Sequence, residues 1–212
     1  MRHNIVLRMV QSIDDKIIAK INKAARGSLF FVDDFLSFGN AKSISKALER
    51  LVHQNNLNRV ARGIYARLAI DPILGSLKPS TESIAEAIRR RDKARIVPTG
   101  SLALNALGLS TQVPVNVVYY TDGSARKIDL GKRTIVFKKT SPKNLATIGK
   151  ISTLVIQALK EIGKDNITES EEKIILEHLK NEEPYRLEHD IKLAPEWVRI
   201  IMRKAIKIDN HD

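Results

Sequence analysis

The chain has 212 residues, 43% apolar and 28% charged, with 36 Lys plus Arg against 24 Asp plus Glu for a formal charge of +12. This balance excludes wholesale disorder and suits one large or two small domains with a polyanionic partner. The absence of cysteine excludes disulfides, thiol catalysis and cysteine-ligated metal centres.

In chain order, Ile13, Ile17, Ile21 and Ala24 recur at helical spacing behind Ser12, which is placed to cap, with Asp14 and Asp15 in the first turn. After Gly27, the segment Phe30, Phe31, Phe35, Leu36 predicts a brief second helix. Beyond Gly39-Asn40, Ile44, Ala47, Leu48, Leu51 and Val52 form an i, i+3, i+4, i+7, i+8 stripe that predicts a third helix. Leu57 to Ala61 and Ile64 to Leu68, joined at Arg62-Gly63, predict a β-hairpin. Helix, short helix, turn, helix, hairpin is the order of a winged helix-turn-helix, in which the third helix enters the DNA major groove and the hairpin is the wing.

Asp71 to Ser80 reads as a linker, and Ser80 to Arg91 as a capped helix. Pro98 to Leu109 suggests a strand, a turn and a small-residue helix, followed by strands at Val113 to Tyr120 and Thr134 to Lys138. From Ile151 the pattern is helical, over Ile151 to Ile162, Thr168 to Lys180 and Pro195 to Ile206. The expected fold class is therefore α+β: a winged helix-turn-helix at residues 1–70, then an α+β domain at residues 80–212 whose segment 151–212 is helical. No apolar run approaches the roughly 18 residues of a membrane span, and Met1 to Gln11 is polar and too short for a signal peptide, so a cytoplasmic protein without a membrane partner is expected.

Charge is uneven. Residues 1–70 hold 12 basic and 5 acidic side chains, residues 71–160 hold 15 and 6, and residues 161–212 reverse the sign with 9 and 13. Lys42, Ser43, Ser45, Lys46 and Arg50 lie on the third helix, and Arg59, Arg62 and Arg67 decorate the hairpin. Such donors hold phosphate oxygens, and at a helix N-terminus they also reach base edges. An amphipathic helix with an ordinary solvated face is the plain alternative.

Pro98-Thr99-Gly100-Ser101 resembles a phosphate-holding turn of a nucleotidyltransferase, but the paired carboxylates that would hold a divalent metal are missing downstream, where Asp122 stands alone. His3, His53, His178, His189 and His211 form no ligand pair, so neither a metal nor a cofactor is expected. Glu188-His189-Asp190 reads as a solvated turn, and Glu171-Glu172 and Glu182-Glu183 as helix starts or exposed faces. Tyr119, Tyr120 and Phe137 among Arg126, Lys127, Lys132, Arg133, Lys138 and Lys139 have the ingredients of a single-strand stacking surface, although strand alternation equally puts the rings in a core. No catalytic residue is assigned.

Two blocks carry a family resemblance. Phe35 through Lys46-Ala47-Leu48-Glu49-Arg50-Leu51 to Arg59-Val60-Ala61-Arg62-Gly63-Ile64-Tyr65, and Thr99-Gly100-Ser101-Leu102-Ala103-Leu104-Asn105-Ala106-Leu107-Gly108-Leu109 with Tyr120-Thr121-Asp122-Gly123, resemble the AbiEi-type antitoxins. These are transcriptional regulators of type IV toxin–antitoxin, abortive-infection phage-defence systems. The resemblance implies a non-enzymatic protein that binds inverted repeats in its own promoter. It also implies that the protein counters a cognate nucleotidyltransferase-like toxin, with no direct contact required. It carries DNA contact onto Lys42, Ser43, Ser45, Lys46 and Arg50 in the recognition helix and Arg59, Arg62 and Arg67 in the wing. Two copies, as a homodimer or as paired monomers, would occupy the repeats. The alternatives are a regulator or protein-interaction adaptor without antitoxin activity, and an enzyme that processes nucleic acid.

Overall fold

The structure, a computed structural model, describes residues 11–208. Met1 to Val10, on which the expected absence of a signal peptide rests, lie outside the described residues, as do His3 and His211. The described chain is mixed α+β and divides into two compact units, with the boundary at Ala87 and Ile88.

The first unit opens with α1 (Ile13–Lys23), started by a reciprocal capping box in which the Ser12 hydroxyl accepts from the Asp15 amide and the Asp15 carboxylate accepts from the Ser12 amide. β1 (Leu29–Phe31) follows, then a 3₁₀ helix at Val32–Phe38 where the sequence predicts a brief helix. α2 (Ala41–His53) is capped by Asn40, whose Oδ1 accepts from the Ser43 amide at 2.9 Å. It stops at Asn55, which takes φ +58° while the Asn55 and Asn56 amides donate back to Val52 and Leu51. β2 (Asn58–Ala61) and β3 (Ile64–Ala66) make the expected hairpin, and β1 adds antiparallel to β3, giving the order β1-β3-β2. Ile17, Ile21, Phe30, Phe35, Ile44, Leu48, Leu51, Leu57 and Tyr65 form one buried core, each large aliphatic side chain contributing about 1.5–3 kcal/mol.

The stretch expected to be a linker carries a second hairpin, β4 (Ala69–Asp71) and β5 (Gly75–Leu77). Its turn is tied by the Asp71 carboxylate, which accepts from the Ile73 and Leu74 amides at 2.8 Å each and is thereby held below its ordinary pKa. At its tip Ile73 and Leu74 stand 92% and 75% exposed. α3 (Thr81–Asp92) follows and contains the unit boundary.

The second unit contains a four-stranded sheet of β6 (Ile96–Pro98), β7 (Asn116–Thr121), β8 (Arg126–Asp129) and β9 (Thr134–Lys139), in the order β6-β7-β9-β8 with β7 and β9 parallel. β8 has no counterpart among the strands expected from sequence. Alternation buries Val117, Tyr119, Ile135 and Phe137. Tyr119 and Phe137 stack at 5.9 Å inside the core, and the Arg126 guanidinium lies over Phe137 while pairing with Asp92. Those two rings are therefore core residues and offer no stacking surface for single strands.

α4 (Gly100–Ala106) ends where Gly108 takes φ +69° and Leu109 donates back to Leu104. Asn105 Nδ2 then fastens the outgoing chain by donating to the Ser110 and Gln112 carbonyls, each at 3.2 Å. α5 (Lys150–Ile162), α6 (Glu169–Leu179), α7 (Pro184–Leu193) and α8 (Glu196–Ile208) complete the unit around Val155, Leu159, Ile175, Leu179, Val198 and Met202. α7 corrects the reading of Glu188-His189-Asp190 as a solvated turn. Pro184 starts a helix there, and Leu187 and Ile191 bury its inner face.

Candidate nucleic-acid interface

α2 shows on its surface what its buried stripe leaves over. With Ile44, Ala47, Leu48 and Leu51 inside, Lys42, Lys46, Glu49, Arg50 and His53 are exposed, and Ser43 and Ser45 flank them half-buried. On the hairpin, Arg59 lies on edge strand β2 and Arg62 beside Gly63, whose φ of +74° makes the tight turn. Both arginines are exposed.

Helix and hairpin share a core at Tyr65, the register partner of Arg59 on β3, which is buried together with Ile44, Leu48 and Leu51 of α2. Burial raises the Tyr65 phenol above its ordinary pKa, Arg59 draws it down and Glu49 of α2 pushes it up. The phenol thus lies within electrostatic reach of one exposed residue from each element. Lys42, Lys46, Arg59 and Arg62 have no carboxylate partner among the described residues, and their charge is available to a ligand.

Two of the eight expected DNA contacts are otherwise engaged. Arg50 forms a two-pronged pair with Asp14 of α1, Nη2 to Oδ1 at 2.6 Å and Nε to Oδ2 at 3.0 Å, which raises its already high pKa. Arg67 turns inward, where its Nη1 donates to the Ile21, Asn22 and Ala24 carbonyls at the end of α1. Arg67 therefore satisfies the open carbonyls of a helix C-terminus. Its carbonyl partners lie 43 to 46 residues earlier, beyond the reach of local sequence patterns.

The Gly100 turn at the start of α4 is a packing device. A Cβ on Gly100 would collide with Glu161 Cβ and fall 2.5 Å from Glu161 Oε2, so a carboxylate already lies against this helix start. Asp122 receives the Arg95 amide at 2.7 Å and Arg95 Nε at 2.9 Å, and the side-chain bond is the main cause of its lowered pKa. No group of three or more His, Cys, Asp or Glu among the described residues could hold a metal ion. No helix there is long and apolar enough to cross a membrane.

Glu182 and Asp190, expected at the surface, are buried. Asp190 Oδ1 and Oδ2 accept from the Ile148 and Gly149 amides at 2.9 Å each, and Oδ2 also from the Ser152 hydroxyl at 2.5 Å. Glu182 Oε2 accepts from the Ile151 and Ser152 amides at 2.7 and 3.0 Å. The start of α5 is therefore capped by two carboxylates from far along the chain, the acceptors its own Gly149 lacks.

A two-unit α+β chain with an unpaired cationic surface on its first unit is the class so defined. The chain belongs to the family of unknown function DUF6088, whose profile matches residues 16–187, from α1 into α7. No curated protein matches it.

Proposed function

We propose that the first unit is a winged helix-turn-helix that binds double-stranded DNA, with α2 as recognition helix and β2–β3 as wing. The whole chain then acts in the cytoplasm as a non-enzymatic antitoxin and autorepressor of the AbiEi type, countering a nucleotidyltransferase-like toxin. The observation that carries DNA binding is the set of four unpaired cations, Lys42, Lys46, Arg59 and Arg62, on two elements that share a core at Tyr65. Ser43 and Ser45 add hydroxyl donors at the first turns of α2. Arg50 contributes only if it leaves Asp14. Repression is by occupancy of inverted repeats in the protein's own promoter, with two copies bound as a homodimer or as paired monomers. The antitoxin role draws on the resemblance of the Thr99 to Leu109 and Tyr120 to Gly123 blocks.

The test is a gel shift on the upstream DNA of the protein's own gene against a scrambled duplex at two salt concentrations. Sequence-selective binding that Lys42→Ala with Lys46→Ala abolishes is the expected result. Equal binding to both duplexes removes the regulator. Co-expression with the neighbouring gene tests antitoxicity, the expected outcome being rescue of growth. A protein-contact role is the second reading, favoured by the exposed Ile73 and Leu74 tip, and predicts that Ile73→Ser with Leu74→Ser abolishes function while leaving DNA binding intact.

A further inference from the structure

The second unit holds a cavity of about 450 Å³ between the 3₁₀ turn Pro142–Leu145, α5 and the α7–α8 junction. Lys143, Lys160 and Lys192 line it, with Thr147, Gln157 and Arg199, and no carboxylate is part of its wall. The three lysines have no acidic partner among the described residues. Arg199 is a fixed part of the wall. It donates to the Ala194 and Lys192 carbonyls at 2.9 and 3.1 Å and pairs with Glu196, covering acceptors at the end of α7 that would otherwise repel an anion.

Two further features suit an anionic ligand. The Thr147 hydroxyl is buried with no hydrogen-bond partner among the described residues, where such groups are nearly always satisfied. The three lysines are exposed at the mouth of the cavity, where desolvation lowers the Lys160 pKa and the Lys143 ammonium lowers it further, so the two ammonium groups lie within electrostatic reach of one another. An anion between them relieves that repulsion. Ile156, Leu193 and Pro195 supply an apolar wall and Gln157 an amide, which suits a ligand with both an anionic and an uncharged part.

We propose that this cavity binds a phosphorylated small molecule of nucleotide size, its phosphate held by Lys143, Lys160 and Lys192. The residues that line the site all belong to the second unit, and the proposal does not rest on DNA binding.

The experiment is calorimetric titration of the full chain with inorganic pyrophosphate and with magnesium-free ATP, at matched ionic strength. Three proteins are compared: wild type, Lys143→Gln with Lys160→Gln, and Lys42→Ala with Lys46→Ala. Saturable one-to-one binding is expected, weakened by about tenfold or more in the first variant and unchanged in the second. Lys192→Gln is the fallback should the first variant lose its circular-dichroism melt, and a loss of affinity there is likewise expected. Absence of saturable binding, or retention of wild-type affinity in the Lys143/Lys160 and Lys192 variants, overturns the proposal. Displacement of pyrophosphate by a short single-stranded RNA that binds more tightly than ATP also overturns it, and assigns the cavity to a nucleic-acid backbone.

Discussion

Asp190 is fully buried, and its two oxygens take two backbone amides and a hydroxyl at the start of α5. Removing the carboxylate leaves the buried Gly149 amide without an acceptor, takes the partner from the Ile148 amide and the His189 ring, and leaves the Ser152 hydroxyl only its longer contact to Glu182. Asp190→Ala is expected to destabilise the protein by on the order of 2–3 kcal/mol, since a buried orphaned donor costs about 1–3 kcal/mol. The single tryptophan, Trp197, packs against the core of the second unit, so its fluorescence in a urea titration reports the shift directly. Asp122 gives a pH signature. Its pKa is lowered in the folded state, so its contribution is present above the unfolded carboxylate value and is lost as pH falls through the folded one. Asp122→Asn is therefore expected to melt lower than wild type at neutral pH, and the gap is expected to close below about pH 4. A constant gap across that range would remove the Arg95 pair as its cause.

At the scale of elements, capping governs where helices start. Asn40→Ala removes the acceptor for the Ser43 amide, and a loss of about 1 kcal/mol is expected in thermal melts followed by circular dichroism. The helices are legible in the sequence wherever an apolar stripe coincides with a cap, as at Ser12 for α1, Asn40 for α2 and Thr168 for α6. β1 and β8 are not. They are three and four residues long, and β8 is Arg-Lys-Ile-Asp, whose pairing depends on a neighbour and not on its own hydrophobicity. α7 is visible in principle, through Pro184 and the Leu187, Ile191 spacing, but three adjacent ionisable residues mask it. The candidate interface divides the same way. The outward face of α2 follows from its buried stripe, whereas the diversion of Arg50 to Asp14 and of Arg67 to α1 depends on partners 36 to 46 residues away.

Over the whole molecule, positive charge is concentrated before residue 160, and at least six of the 13 acids beyond it have capping or ion-pair partners within the second unit. The Glu171 carboxylate accepts from the Thr168 amide in the capping box of α6, Glu182 and Asp190 hold α5, and Glu172, Glu177 and Glu196 pair with Lys204, Lys180 and Arg199. Part of the reversed sign of this segment thus serves helix starts and ion pairs. Polyanion binding is expected to show two separable contributions. If α2 and the hairpin hold phosphates, log affinity for duplex DNA falls linearly with log salt. The slope then shrinks by roughly 0.9 for each phosphate that Lys42, Lys46, Arg59 or Arg62 no longer neutralises. Fluorescence anisotropy across a salt series measures it. An unchanged slope in the fourfold alanine variant would exclude this surface, while Lys143 and Lys160 changes are expected to leave the DNA slope alone.

The remote cap on α5 also imposes an order on biosynthesis. Gly149 leaves the ribosome 41 residues before the Asp190 carboxylate that its amide requires, an interval of roughly 2–8 seconds at ordinary rates of synthesis. For that interval the first unit is already complete in sequence while the core of the second cannot close. A chain released before residue 182 carries α5 with neither of its acceptors, so premature termination is expected to leave the second unit open to proteases while the first unit keeps all of its own core.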